Sequence, residues 1–135
     1  MLTNDKGFSL TELMIAIVII GVLSMIAIPK FTGTTTKAKL SEFPAVLMQL
    51  YSLQDAHFLE TDKYATSLEE LDFSNPESKY FEYSISSDSK SFVAKATVIE
   101  ELKDGQGNSL KGEFVSIDEK KVKGGSDNLR RVTKW

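Results

Sequence analysis

Glu12 stands immediately before sixteen residues without a charge, Leu13 to Ile28, and an ionised carboxylate at that edge must be matched by a cation or by hydrogen-bond donors. Two sources are open. Ser9-Leu10-Thr11-Glu12 is an S-x-x-E capping box, in which the carboxylate closes a helix N-terminus. Alternatively, the partner is a cation from outside the chain. Elsewhere reactive groups are sparse. The chain has no cysteine and one histidine, His57, so thiolate metal sites, disulfides and most catalytic triads lack their parts. Asp104-Gly105-Gln106-Gly107-Asn108 puts Asp and Asn beside glycines as a calcium loop does. It departs from the D-x-[DN]-x-[DN]-G pattern and reads as a hairpin turn. Lys120, Lys121, Lys123, Arg130, Arg131 and Lys134, with Trp135 as a stacking plane, could face an anionic surface, but such runs are usually solvated and nucleic acid is disfavoured. No nucleophile, base and metal converge, so the chain reads as a non-enzyme with no catalytic, metal or cofactor-binding residues.

The elements that carry these residues follow from periodicity. With 135 residues, 41% hydrophobic and 26% charged, the chain has the size and composition of one globular unit. Its charge is uneven: residues 1–110 hold nine Lys against fifteen acids, and residues 111–135 hold seven Lys and Arg against four. Phe8 to Ile28, 21 residues, makes roughly 31 Å of helix, enough for a hydrocarbon core of about 30 Å. Pro29-Lys30-Phe31 follows it instead of a small-x-small cleavage site, so a secretory signal cut after the run is not indicated. Lys30, Lys37 and Lys39 lie beyond the apolar run, contrary to the usual cytoplasmic bias of a simple anchor. Leu40, Phe43, Leu47, Leu50, Tyr51 and Phe58 share one helical stripe, which predicts an amphipathic continuation. His57 flanks that stripe as an ordinary surface histidine, and Pro29, Gly33 and Pro44 mark places where the helix can bend or loosen. TDKYATSLEELDF predicts a turn and a short helix capped by Ser67 with Glu70. Alternation predicts three strands, around Phe81 to Ile85, Phe92 to Val98, and Phe114, with Phe114 in the core. The expected class is α+β, a long N-terminal helix packed on a small antiparallel sheet.

Lys6-Gly7-Phe8-Ser9-Leu10-Thr11-Glu12, followed by the apolar run, resembles the N-terminal signal of type IV pilins and type II secretion pseudopilins. The resemblance implies a leader of residues 1–7, an apolar membrane and polymerisation helix over 8–31, and a headgroup over 32–135 that begins with the amphipathic helix. It implies that prepilin peptidase, a membrane aspartyl enzyme, cuts between Gly7 and Phe8 on the cytoplasmic side, and that the Phe8 amine is methylated. Glu12 would then meet the Phe8 amine of a neighbouring subunit, and Gly21 and Pro29 fall where the family has its helix glycine and proline, which lend flexibility. The implied partners are copies of the chain and other pilins, the peptidase, an inner-membrane assembly platform, and membrane lipid before assembly. The implied location is the bacterial inner membrane, then an extracellular pilus for adhesion or motility. A periplasmic pseudopilus, or an anchored minor pilin that binds DNA in uptake, are the alternatives. Family members often pin the C-terminal region with a disulfide or calcium; here strand pairing is expected to hold the Gly124 to Asp127 loop.

Overall fold

A computed structural model describes residues 6–135; residues 1–5 of the expected leader lie outside the described residues. Helix α1 spans Leu10–Leu40 and α2 spans Phe43–Thr61. Pro29 and Gly33 lie inside α1 without interrupting it, and the break falls instead at Ser41 and Glu42. Pro44 explains the position: it has no N–H to give to the Leu40 carbonyl, while in the first turn of α2 that loss costs nothing. The junction is then fixed by side chains. The Tyr83 hydroxyl donates to Glu42 Oε1 at 3.0 Å, and the Phe43 ring packs 5.5 Å from Phe81 and 5.1 Å from Trp135.

Four antiparallel strands form one sheet in chain order: β1 (Phe81–Ser87), β2 (Phe92–Val98), β3 (Phe114–Asp118) and β4 (Lys123–Gly125). Helix α2 lies against β2 and β3. The predicted stripe holds, with Leu40, Phe43, Leu47 and Leu50 buried and Tyr51 and Phe58 half-buried. The inward faces of β1 and β2 also match the alternation. Phe114 does not: it pairs with Thr97 on the outer face, while Val115 opposite Ala96 and Ile117 opposite Ala94 point inward. Its ring is covered by the Lys95 amine at 4.4 Å.

Residues 66–72 form turns and not the expected short helix. Asp72 adopts a left-handed conformation (φ 50°) after one turn, which closes the segment so that both Leu71 and Phe73 are buried. Ser67 Oγ accepts from the Glu70 amide at 3.4 Å, but the Glu70 carboxylate goes to Thr66, taking its amide at 3.0 Å and its hydroxyl at 2.9 Å. Gln54 is a polar residue on the buried stripe. Its amide exchanges two hydrogen bonds with the Ala65 backbone, at 2.8 and 2.9 Å, and so ties α2 to the following loop.

The C-terminal region is held by more than strand pairing. Helix α3 (Asp127–Thr133) buries Leu129, and its first turn is closed from β3's approach: Glu113 accepts from the Leu129 amide at 2.9 Å and from Asn128 Nδ2 at 3.1 Å. Trp135 Nε1 donates to the Ser116 carbonyl at 3.0 Å. Gly125 (φ 137°) runs so close to β3 that an added Cβ would lie 2.8 Å from Val115 Cα.

Candidate functional site

Gly7, Phe8 and Ser9 precede α1 in non-helical conformation, and the Phe8 side chain is 88% exposed. Ser9 is the N-cap. Its Oγ accepts from the Glu12 amide at 3.1 Å, and Glu12 Oε2 accepts from the Ser9 amide at 2.9 Å, so the capping box is complete. Glu12 Oε1 takes no part in it and is free to accept from a second donor. The capping role and an external cation therefore do not compete for the same oxygen.

Glycine at position 7 has no conformational or packing cause in this fold. A Cβ there would meet nothing within 4 Å, and the residue is not among those with positive φ. Gly21 is likewise in open space. By contrast, a Cβ on Gly33 would lie 3.1 Å from Gly105 Cα, a tight contact against backbone, so glycine there has a packing cause.

From Phe8 to Phe31 every residue is exposed except Ser24, which is half-buried. A helix apolar on all sides and uncovered by its own chain must be covered by something else, a bilayer or other subunits. Four hydroxyls on and just beyond it are satisfied locally: Ser24, Thr32, Thr34 and Thr35 donate to the carbonyls four residues back, at 2.7 to 3.1 Å. Pro29 has no amide for the Met25 carbonyl, which leaves one acceptor free in mid-helix.

The remaining candidates sit apart from this tip. His57 Nδ1 lies 2.9 Å from the Lys63 carbonyl and 3.2 Å from the Thr61 hydroxyl, closing the end of α2. The 104–108 segment is a turn. Asp104 is buried and accepts from the amides of Gln106 and Asn108 at 2.9 Å, from Asn108 Nδ2 at 3.0 Å and from Arg131 at 3.3 Å. The Asn108 side-chain bond, with the two amides and Arg131, holds the Asp104 carboxyl below the usual carboxylate range. Much of the basic cluster is used within the fold. The Lys121 amine sits 4.9 Å over Tyr51 and the Lys123 amine 4.2 Å over Trp135, whose edge contact with Phe43 removes it as an open stacking plane.

The prokaryotic N-terminal methylation motif matches residues 2–28. A type IV major pilin of Neisseria gonorrhoeae is 30% identical over 116 residues, covering 85% of this chain and 68% of that protein. The chain belongs to the type IV pilin and pseudopilin family. A type IV major pilin of Myxococcus xanthus is 37% identical over 83 residues, 62% of this chain but only 38% of that protein. A type II secretion system core protein G of Klebsiella pneumoniae is 33% identical over 64 residues, 47% of this chain and 46% of that protein. The match thus spans less than half the length of two of these three relatives. The family's α+β arrangement is the one described above, and its methylation motif covers the Gly7, Phe8 and Glu12 positions.

Proposed function

We propose that the chain is a filament subunit of a type IV pilus, cut between Gly7 and Phe8 by prepilin peptidase, methylated at the Phe8 amine, and polymerised through residues 8–31. The carrying observation is the helix itself, apolar on every side and without a partner in its own chain. Gly7 supports the cleavage site because the fold gives no other reason for a glycine there. In this reading residues 1–7 are the leader and residues 32–135 the headgroup. The apolar helix holds the subunit in the inner membrane until an assembly platform extracts it, with Gly21 and Pro29 giving the helix room to adjust. Glu12 Oε1 then receives the Phe8 amine of the adjacent subunit while Oε2 keeps its capping bond. In a low-dielectric core that pairing rewards one register, because either charge left alone costs several kcal/mol, on the order of 3 to 5.

A pilus is favoured over a secretion pseudopilus because the pilin matches extend over 116 and 83 residues, further along the chain's headgroup than the 64 of the secretion protein. A DNA-binding minor pilin is the weaker reading, since Trp135, Lys121 and Lys123 are engaged within the fold. Electron microscopy of source cells with and without the subunit tests the proposal. Surface filaments lost on deletion and restored by the intact chain are expected; filaments unchanged by deletion would refute it.

A further inference from the structure

Lys30, Gly33, Thr34 and Lys37 follow one another along one face of α1, and that face forms one wall of an open groove of about 640 Å³. The other wall is the 104–106 turn and α3. The two walls meet backbone to backbone at Gly33 and Gly105, and Ile26 and Val132 contribute apolar surface. Three cations line the groove, Lys30, Lys37 and Arg131, against one carboxylate, Asp104. That carboxylate is already spent on four donors. Both bonds recorded for Arg131 use one nitrogen, Nη2, so its other nitrogens remain available, and the side chain is 56% exposed. Neither lysine is paired with a carboxylate among the described residues.

The position of this groove follows from the span. If Phe8 to Ile28 fills the hydrocarbon, the Lys30 Cα lies about 3 Å beyond it and the Lys37 Cα about 13 Å beyond. The headgroup layer is roughly 5 to 7 Å deep on each face. Side chains on a helix lean toward its N-terminus, so Lys37 snorkels back toward the bilayer and both amines reach the headgroup layer. Lysines on this flank run against the usual placement of positive charge and have no counter-charge recorded among the described residues.

We propose that the groove binds the phosphate of an anionic phospholipid from the membrane that α1 crosses, with the glycerol and the start of an acyl chain running along Ile26. Three cationic side chains from two elements line the groove that would take the phosphodiester, and Ile26, the lining residue nearest the middle of the span, offers apolar surface to the chain. The inference rests on the membrane reading above.

The test uses the full chain in nanodiscs of phosphatidylcholine with a minority of phosphatidylglycerol, ejected intact for native mass spectrometry. Wild type retains phosphatidylglycerol in preference to phosphatidylcholine. Lys30→Gln/Lys37→Gln, both exposed positions, loses that preference by roughly thirtyfold, whereas Lys111→Gln/Lys120→Gln, the same charge change at exposed positions that do not line the groove, keeps it. Equal losses in the two variants would reduce the effect to net charge and overturn the proposal. Inorganic phosphate retained as tightly in discs of phosphatidylcholine alone would make the ligand a free anion, and a dimer in place of the lipid adduct would make it a second copy; either overturns it. A chain that enters discs but shows no lipid preference refutes this inference alone. A chain that enters neither disc refutes the membrane reading and this inference with it.

Discussion

Substituting Glu12 separates the two roles of its carboxylate, because the two available replacements remove different things. Glu12→Gln keeps an acceptor oxygen for the Ser9 amide, so the capping box survives while the charge is lost. Ser9→Ala keeps the charge but removes the hydroxyl that accepts from the Glu12 amide. Glu12→Ala removes the charge and the acceptor for the Ser9 amide together. Loss of the cap costs about 1 kcal/mol, roughly fivefold in any equilibrium that needs the first turn of α1. Stranding the Phe8 amine of a neighbour in a filament core costs about 3 to 5 kcal/mol, at least a hundredfold. The assay coexpresses each variant with tagged wild type and measures the variant's share in sheared filaments against its share in the membrane. All three variants are expected to be cleaved nearly normally. Ser9→Ala should enter filaments within about fivefold of wild type, while Glu12→Gln and Glu12→Ala should both be nearly excluded. If Glu12→Gln entered like wild type while Ser9→Ala and Glu12→Ala failed together, capping would be the whole role of Glu12 and the intersubunit pairing would be wrong.

Three further outcomes concern the headgroup. Gly125→Ala forces a Cβ against the Phe114 and Val115 backbone at positive φ, so it should cost more than about 3 kcal/mol and lower the melting temperature by well over 10 °C, or prevent folding. Asp104 has a depressed folded-state pKa, so its contribution is complete above the ordinary carboxylate value near pH 4 and is lost as pH falls through the lower folded value. Wild type should therefore lose its stability margin over Asp104→Ala as melts are taken from pH 5 downward; a constant margin would contradict the bonding described. A chain beginning at Thr35 should sediment as a monomer whose melting temperature ignores reductant and chelator, while the chain from Phe8 requires detergent or a filament; a chelator-induced drop would revive a metal role for Asp104 to Asn108.

The parts of this fold that were legible are those whose signal is a repeated hydrophobic spacing. The α2 stripe and the inward faces of β1 and β2 each place three or more apolar side chains on one face, and the structure buries them, Ile85 only in part. Phe114 was misplaced because β3 offers five residues with apolar groups on both faces, and only its register against Ala94 and Ala96 decides which face is inside. Helix α3 and strand β4 have no local pattern at all. They are seven and three residues long and depend on remote groups: Glu113 for the first turn, Leu129 for burial and Val115 for pairing. Gln54 carries no apolar signal, yet it sits at the helical spacing of Leu50 and is buried because the Ala65 backbone satisfies its amide. At the candidate site the Ser9 to Glu12 box was readable from residue types alone. Its compatibility with a second partner was not, since that depends on which carboxylate oxygen the Ser9 amide takes.

Intact-mass measurement of the protein extracted from membranes and from sheared filaments tests the central claim most directly. The account predicts a chain lacking Met1 to Gly7 and beginning at a methylated Phe8, with Gly7→Leu retaining all 135 residues and forming no filament. Wild-type filaments built from the full-length chain, or from a chain beginning anywhere but Phe8, would contradict it.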